Sequence, residues 1–122
     1  MAVDVLLVED DKLLLETTER FLSAHGLSIA TCDSPFGIGS AIAERKPRLV
    51  VLDIMMPALG GEAIVERATE LGLEADKLLI YSALDEQRVR SVAAKLPGTR
   101  YLIKGAGFFE LLEVVREMLG ED

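Results

Sequence analysis

Short apolar runs alternate with amphipathic stretches along the whole chain. Val3–Val8, interrupted only by Asp4, reads as a buried strand, and Leu49–Asp53 is a second such run that ends in a carboxylate. Ser28–Cys32 is a weaker strand. Lys77–Tyr81 makes a fourth, with Ser82 at its carboxyl end, and Thr99–Ile103 a fifth, with Lys104 just past it. Between these runs the apolar spacing changes to three and four. Leu14, Thr18, Phe21 and Leu22 mark one helix, stopped by Gly26. Ser34–Pro35 opens a second carrying Ile38, Ala41 and Ile42, which Gly37 and Gly39 soften and Pro47 ends. Glu62–Leu71 reads as a third, stopped by Gly72. Asp85 is placed to cap a fourth with Val89, Val92, Ala93 and Leu96, closed by Pro97–Gly98. Phe108, Leu111, Leu112, Val115 and Leu119 give the last, terminated by Gly120.

Five strand–helix units with short connections predict an α/β fold, a doubly wound parallel sheet of five strands flanked by five helices. With 122 residues the chain suits one domain, 1–122. Half the residues are hydrophobic and 28% are charged, which excludes a disordered chain. The net charge of −8 disfavours direct binding to nucleic acid. No apolar segment approaches the ~18 residues that would span a membrane. The amino terminus lacks the basic region of a signal peptide, so a cytoplasmic protein is expected. Cys32 is the single cysteine, which rules out an intramolecular disulfide or a cysteine metal cluster; it reads as a small buried hydrophobe.

In open α/β sheets, ligands bind beyond the carboxyl ends of the strands, where strand order reverses. The polar residues at those ends are Asp10 and Asp11 after the first strand, Asp53 ending the third, Ser82 after the fourth and Lys104 after the fifth. If the order is the flavodoxin-like 2-1-3-4-5, which periodicity alone does not fix, three carboxylates converge at the switch point. One of Asp10 and Asp11 can instead cap the following helix, which still leaves three successive acids, Glu9–Asp10–Asp11, unexplained. Three adjacent carboxylates stay ionised only with a cation between them, and an oxygen-only set suits Mg²⁺. Such a site fits phosphoryl transfer to a carboxylate nucleophile, Asp53, with Ser82 and Lys104 binding the transferred oxygens.

Four segments in this order, Asp10–Asp11, Asp53–Ile54–Met55–Met56–Pro57…Gly61, Ser82–Ala83 and Tyr101–Leu102–Ile103–Lys104, resemble the response-regulator receiver domain of two-component signalling. The resemblance covers essentially the whole chain. It implies that Asp53 takes a phosphoryl group from the phosphohistidine of a histidine kinase or phosphotransfer protein, with Mg²⁺ obligatory. It further implies that Met55 offers its backbone carbonyl to the metal. Ser82 then moves toward the phosphoryl group and Tyr101 swings inward, remodelling the face built from the fourth helix, fifth strand and fifth helix. A downstream protein, a fused output domain or a second copy in a phosphorylation-dependent homodimer would read that face. Such a module is a switch and not an enzyme acting on an external substrate. The alternative is a pseudo-receiver, a binding module regulated without phosphate. An aspartyl-nucleophile phosphotransferase would need a separate general acid/base and a cap, for which the chain has no room.

Some positions depart from the family pattern. Gly105 replaces a common proline after Lys104, which predicts a trans or mobile loop, and Gly60 stands where an aspartate or serine is common. Met55 and Leu84 are apolar at positions that flank the path of the hydrolytic water in the family, and are expected to slow loss of the phosphoryl group. His25 reads as a solvated helix-terminal residue favourable to the dipole, not as a phosphorelay histidine. Of Phe108 and Phe109, one ring is expected in the core and one at the surface.

Overall fold

Three wholly buried strands form the centre of the molecule: β1 (Val5–Val8), β3 (Leu49–Leu52) and β4 (Leu78–Ser82). Runs rich in Val, Leu and Ile adopt this conformation because branched side chains pack well on a pleated surface that is covered on both faces. The computed structural model describes residues 2–55, 61–68, 70–105 and 107–121. The outer strands, β2 (Ile29–Cys32) and β5 (Arg100–Ile103), are only partly buried. All neighbours pair in parallel, as the alternation of strands and helices predicts, and their order, β2-β1-β3-β4-β5, is the flavodoxin-like one that periodicity alone does not fix.

Five helices complete the alternation: α1 (Lys12–Ala24), α2 (Ile38–Arg45), α3 (Gly61–Glu66), α4 (Glu86–Ala93) and α5 (Phe108–Met118). The period of two along each strand divides the core into two layers. Leu6, Val8, Val50, Leu52, Leu78 and Ile80 pack with buried residues of α2, α3 and α4. Val5, Leu7, Leu49, Val51, Leu79 and Tyr81 pack with those of α1 and α5. Each fully buried Leu or Ile stabilises the fold by roughly 1.5–3 kcal/mol.

Local signals set the helix ends. Asp11 caps α1 by accepting from the Leu14 amide at 3.1 Å, and Asp85 caps α4 by accepting from Arg88 N at 3.0 Å. Gly26, at φ +91°, closes α1: Gly26 N donates to Ser23 O and Leu27 N to Leu22 O, while buried Leu27 joins Leu22 in the core. Ser34 caps a short 3-10 turn, Pro35–Gly37, that leads into α2. The third helix is shorter than the expected Glu62–Leu71. At its end Arg67 N is shared between Ala63 O and Ile64 O and Ala68 N bonds Val65 O, so the last turn tightens and the α-helix stops. The expected turn at Met56–Pro57 and the Gly60 position lie outside the described residues.

His25 is half-buried rather than solvated. It forms the carboxyl cap of α1, its Nδ1 lies 2.8 Å from Phe21 O, and its ring meets Phe21 and Phe109. Phe108 is partly buried and Phe109 exposed, so the pair divides as expected. Cys32 is half-buried, with Sγ donating to Ser34 O at 3.0 Å. At the amino-terminal end of the sheet, Arg48 pairs with Asp4 at 3.3 Å and Glu121 at 3.7 Å and donates to Leu119 O at 2.8 Å.

Candidate functional site

The order β2-β1-β3 makes the boundary between β1 and β3 the point where the strand order reverses, and Glu9 and Asp53 follow those two strands there. Val8 lies opposite Leu52, and Asp53 N extends the ladder by donating to Val8 O at 3.0 Å. On the other side Glu9 N donates to Cys32 O at 3.1 Å. These bonds fix both backbones, and both residues are buried, with 6% exposure for Asp53 and 8% for Glu9.

Oxygen atoms of Glu9, Asp10 and Asp53 all lie within 4.8 Å of one another. The acids that meet Asp53 are therefore Glu9 and Asp10, one place earlier than the Asp10–Asp11 pair expected from the sequence. The reason is local: Asp11 spends its carboxylate on the α1 amide, and it lies outside this group. Glu9 is the residue that sequence reasoning missed. The available signals were a three-acid run in which the last member caps the helix, and a strand whose continuation places Glu9 level with Asp53.

Lys104 joins the two buried acids. Its backbone N donates to Ser82 O at 2.8 Å, and its ammonium donates to Glu9 Oε1 and, at 3.1 Å, to Asp53 Oδ2. Asp53 Oδ1 accepts from Met55 N at 2.9 Å, so both carboxylate oxygens are oriented by donors. Gly105, at φ +122°, continues from Lys104 with no cis peptide bond among the described residues; a side chain there would be strained. Burial pushes Glu9 up to about 7, with Asp53 adding to the shift and Lys104 opposing it. Burial disfavours the Lys104 ammonium, yet the bonds and charges of Glu9 and Asp53 prevail and hold it above its ordinary value. One ammonium thus neutralises only part of a three-carboxylate group. An oxygen-only donor set with surplus negative charge fits a hard divalent cation.

Two of the other expected residues touch this centre through the backbone, Ser82 by its carbonyl, which accepts from Lys104 N, and Met55 by its amide, which donates to Asp53 Oδ1. Ser82 is fully buried on β4, beside β3, with Oγ accepting from Leu84 N at 3.3 Å. Met55 is exposed at its side chain. Tyr101 lies on β5 opposite Ile80, and its hydroxyl bonds Glu86 and Arg90 on α4.

The family description response regulator receiver domain matches residues 5–116. Response regulator MprA of Mycobacterium sp. (strain KMS) is 31% identical over 119 residues, which is 98% of this chain and 51% of that protein. MprA of Mycobacterium bovis (strain BCG / Pasteur 1173P2) is 30% identical over the same spans. The chain spans about half the length of the curated relatives it matches. Among solved structures, the receiver domain of the Francisella response regulator 1452 superimposes with a TM-score of 0.83, 22% identity and 97% coverage of both chains. The BeF3-activated N-terminal receiver domain of Klebsiella pneumoniae RstA gives 0.84 and 22%, covering 95% of this chain and 97% of that one. At such identities the structural likeness speaks to the fold.

Proposed function

Because the chain belongs to the response regulator receiver domain family, we propose that it is a phosphorylation-dependent switch with Asp53 as phosphoacceptor. The observation that carries this reading is the convergence of Glu9, Asp10 and Asp53 at the switch point, with the Lys104 ammonium bonded to Glu9 and Asp53. A carboxylate oxygen of Asp53 attacks the phosphorus of a phosphohistidine on a histidine kinase or phosphotransfer protein. The P–N bond breaks as the new P–O bond forms, and the imidazole leaves with the electron pair. Glu9, Asp10 and Asp53, with the Met55 carbonyl, would hold Mg²⁺, which would supply the positive charge that lets an anionic phosphoryl group approach an anionic nucleophile.

The chain's own residues do the rest. Lys104, already bonded to Asp53 Oδ2, transfers a hydrogen bond to a phosphoryl oxygen as charge develops there. Ser82 accepts from Leu84 N, which leaves its hydroxyl proton for a second phosphoryl oxygen. These new bonds favour the conformer in which Ser82 approaches Asp53 and Tyr101 turns inward, and the face of α4, β5 and α5 changes for a partner protein or output domain. Among the described residues no helix is long and apolar enough to cross a membrane.

The test uses a small acyl-phosphate donor with Mg²⁺ and intact-mass measurement. A gain of one phosphoryl group, abolished by EDTA and by Asp53→Asn, is expected. No gain with the wild type would turn the reading to a pseudo-receiver, and sustained donor turnover would turn it to an enzyme.

A further inference from the structure

Tyr101 is held from outside. Its hydroxyl donates to Glu86 Oε2 at 3.0 Å and accepts from Arg90 Nε at 3.3 Å. Arg90 Nη2 donates to the same Glu86 oxygen at 2.8 Å. Glu86 and Arg90 stand one turn apart on α4, so they would pair without help from any tyrosine. Here the pair uses the remaining capacity of the carboxylate and the guanidinium to grip a hydroxyl from β5, closing a ring of three hydrogen bonds across two elements. The Tyr101 ring packs against the α2–α4 side of the core, while its polar tip is fixed at the surface. Both gripping side chains are exposed, at 57% for Glu86 and 67% for Arg90.

We propose that Glu86 and Arg90 form a latch that keeps Tyr101 with its hydroxyl at the surface in the resting protein. The latch rests on the switching reading given above and adds to it where the resting bias comes from. For the ring to turn inward, both hydroxyl bonds must break, and the ion pair is left without its third member. The equilibrium between the two positions is therefore set partly on the solvent side of α4, away from Asp53. A ligand at Asp53 shifts that equilibrium only by its differential affinity for the two states, so a stronger latch demands more of the phosphoryl group. Because the grip is electrostatic and exposed, salt weakens it.

The chain has two tyrosines, Tyr81 and Tyr101, so 3-fluorotyrosine labelling gives two fluorine NMR signals, assigned with Tyr101→Phe. Wild type with Mg²⁺ and beryllofluoride supplies the reference for the turned ring. In ligand-free Glu86→Ala and Arg90→Ala the Tyr101 signal is expected to move toward that reference, as the turned population rises about three- to tenfold. Glu86→Gln, which keeps an acceptor for the hydroxyl, should move it less. Raising salt from about 0.05 to about 0.5 M should shift the wild type in the same direction and leave both alanine variants unmoved. If beryllofluoride moves the wild-type signal but the resting alanine variants match resting wild type, the latch is overturned and the switch stands. If beryllofluoride leaves the wild-type Tyr101 signal in place, the switch reading fails and the latch with it.

Discussion

Glu9 shares one ammonium with Asp53 while having almost no access to solvent. Its folded-state value of about 7 lies above the ordinary 4.5, chiefly through burial. A carboxyl raised in this way stabilises the fold fully below about 4.5 and loses that contribution as pH rises through about 7. The metal-free protein should therefore lose stability between these values relative to Glu9→Gln, whose neutral amide mimics the protonated carboxyl, so urea midpoints that nearly match at low pH should part as pH rises. If Glu9 holds Mg²⁺ as proposed, the ion would compete with its proton, and the rise in melting temperature on adding Mg²⁺ should be larger at pH 8 than at pH 6. Thermal scans at both pH values, with and without Mg²⁺, check the sign. Two apolar neighbours make a separate prediction. Met55 follows Asp53 by two places, and half-buried Leu84 donates its amide to Ser82 Oγ. Apolar bulk at these two positions is expected to hinder the hydrolytic water, so on the proposed reading Met55→Asn with Leu84→Glu should shorten the phospho-Asp53 lifetime by about tenfold, about 1.4 kcal/mol of barrier. Decay of the phosphorylated mass after donor removal measures it.

At the scale of elements, the acid run after β1 divides its labour according to where the strand stops and the helix starts. Glu9 continues β1, Asp10 brings its carboxylate beside those of Glu9 and Asp53, and Asp11 caps α1. Asp11→Ala should then destabilise the protein by about 1 kcal/mol, the typical worth of a helix cap, and leave Mg²⁺ affinity unchanged. Asp10→Ala should do the reverse, lowering Mg²⁺ affinity at least tenfold with little effect on the urea midpoint. Calorimetric titration with Mg²⁺ beside urea unfolding of each variant separates the two roles. The same boundary shows how much was legible in the sequence. The strand cores, the capping residues Asp85 and Ser34 and the stop at Gly26 each carry a local signal, and the structure places them within a residue or two of expectation. Asp53, Ser82 and Lys104 were legible because each follows an apolar run directly. Three consecutive acids carry no periodicity, so their assignment waits on the backbone dihedrals of Asp11 and the bond from Glu9 N to Cys32 O. The grip of α4 on Tyr101 was equally hidden, because it depends on how α4 lies across β5 and no spacing within one segment encodes that.

For the whole molecule, the sheet separates two apolar layers that share the same backbone. Leu79 points into the α1 and α5 layer and Ile80 into the other, and both are fully buried. Truncating either to alanine should cost about 2–5 kcal/mol. Because the layers are joined through β4, each variant should still unfold in one transition with an unchanged denaturant slope, which urea titrations followed by circular dichroism will show. The opposite end of this sheet has its own organisation. Arg48 clips the start of β1, through Asp4, to the end of α5, through Leu119 and Glu121. Asp53 and Lys104 lie at the other ends of their strands. For anyone building a sensor from this chain, Arg48 makes that lower rim a mounting plate and the strand tips a working edge. A tag joined after Glu121 hangs from the plate and is a handle for immobilisation. A dye meant to report events at Asp53 belongs instead near Met55 or Leu84, one strand length away.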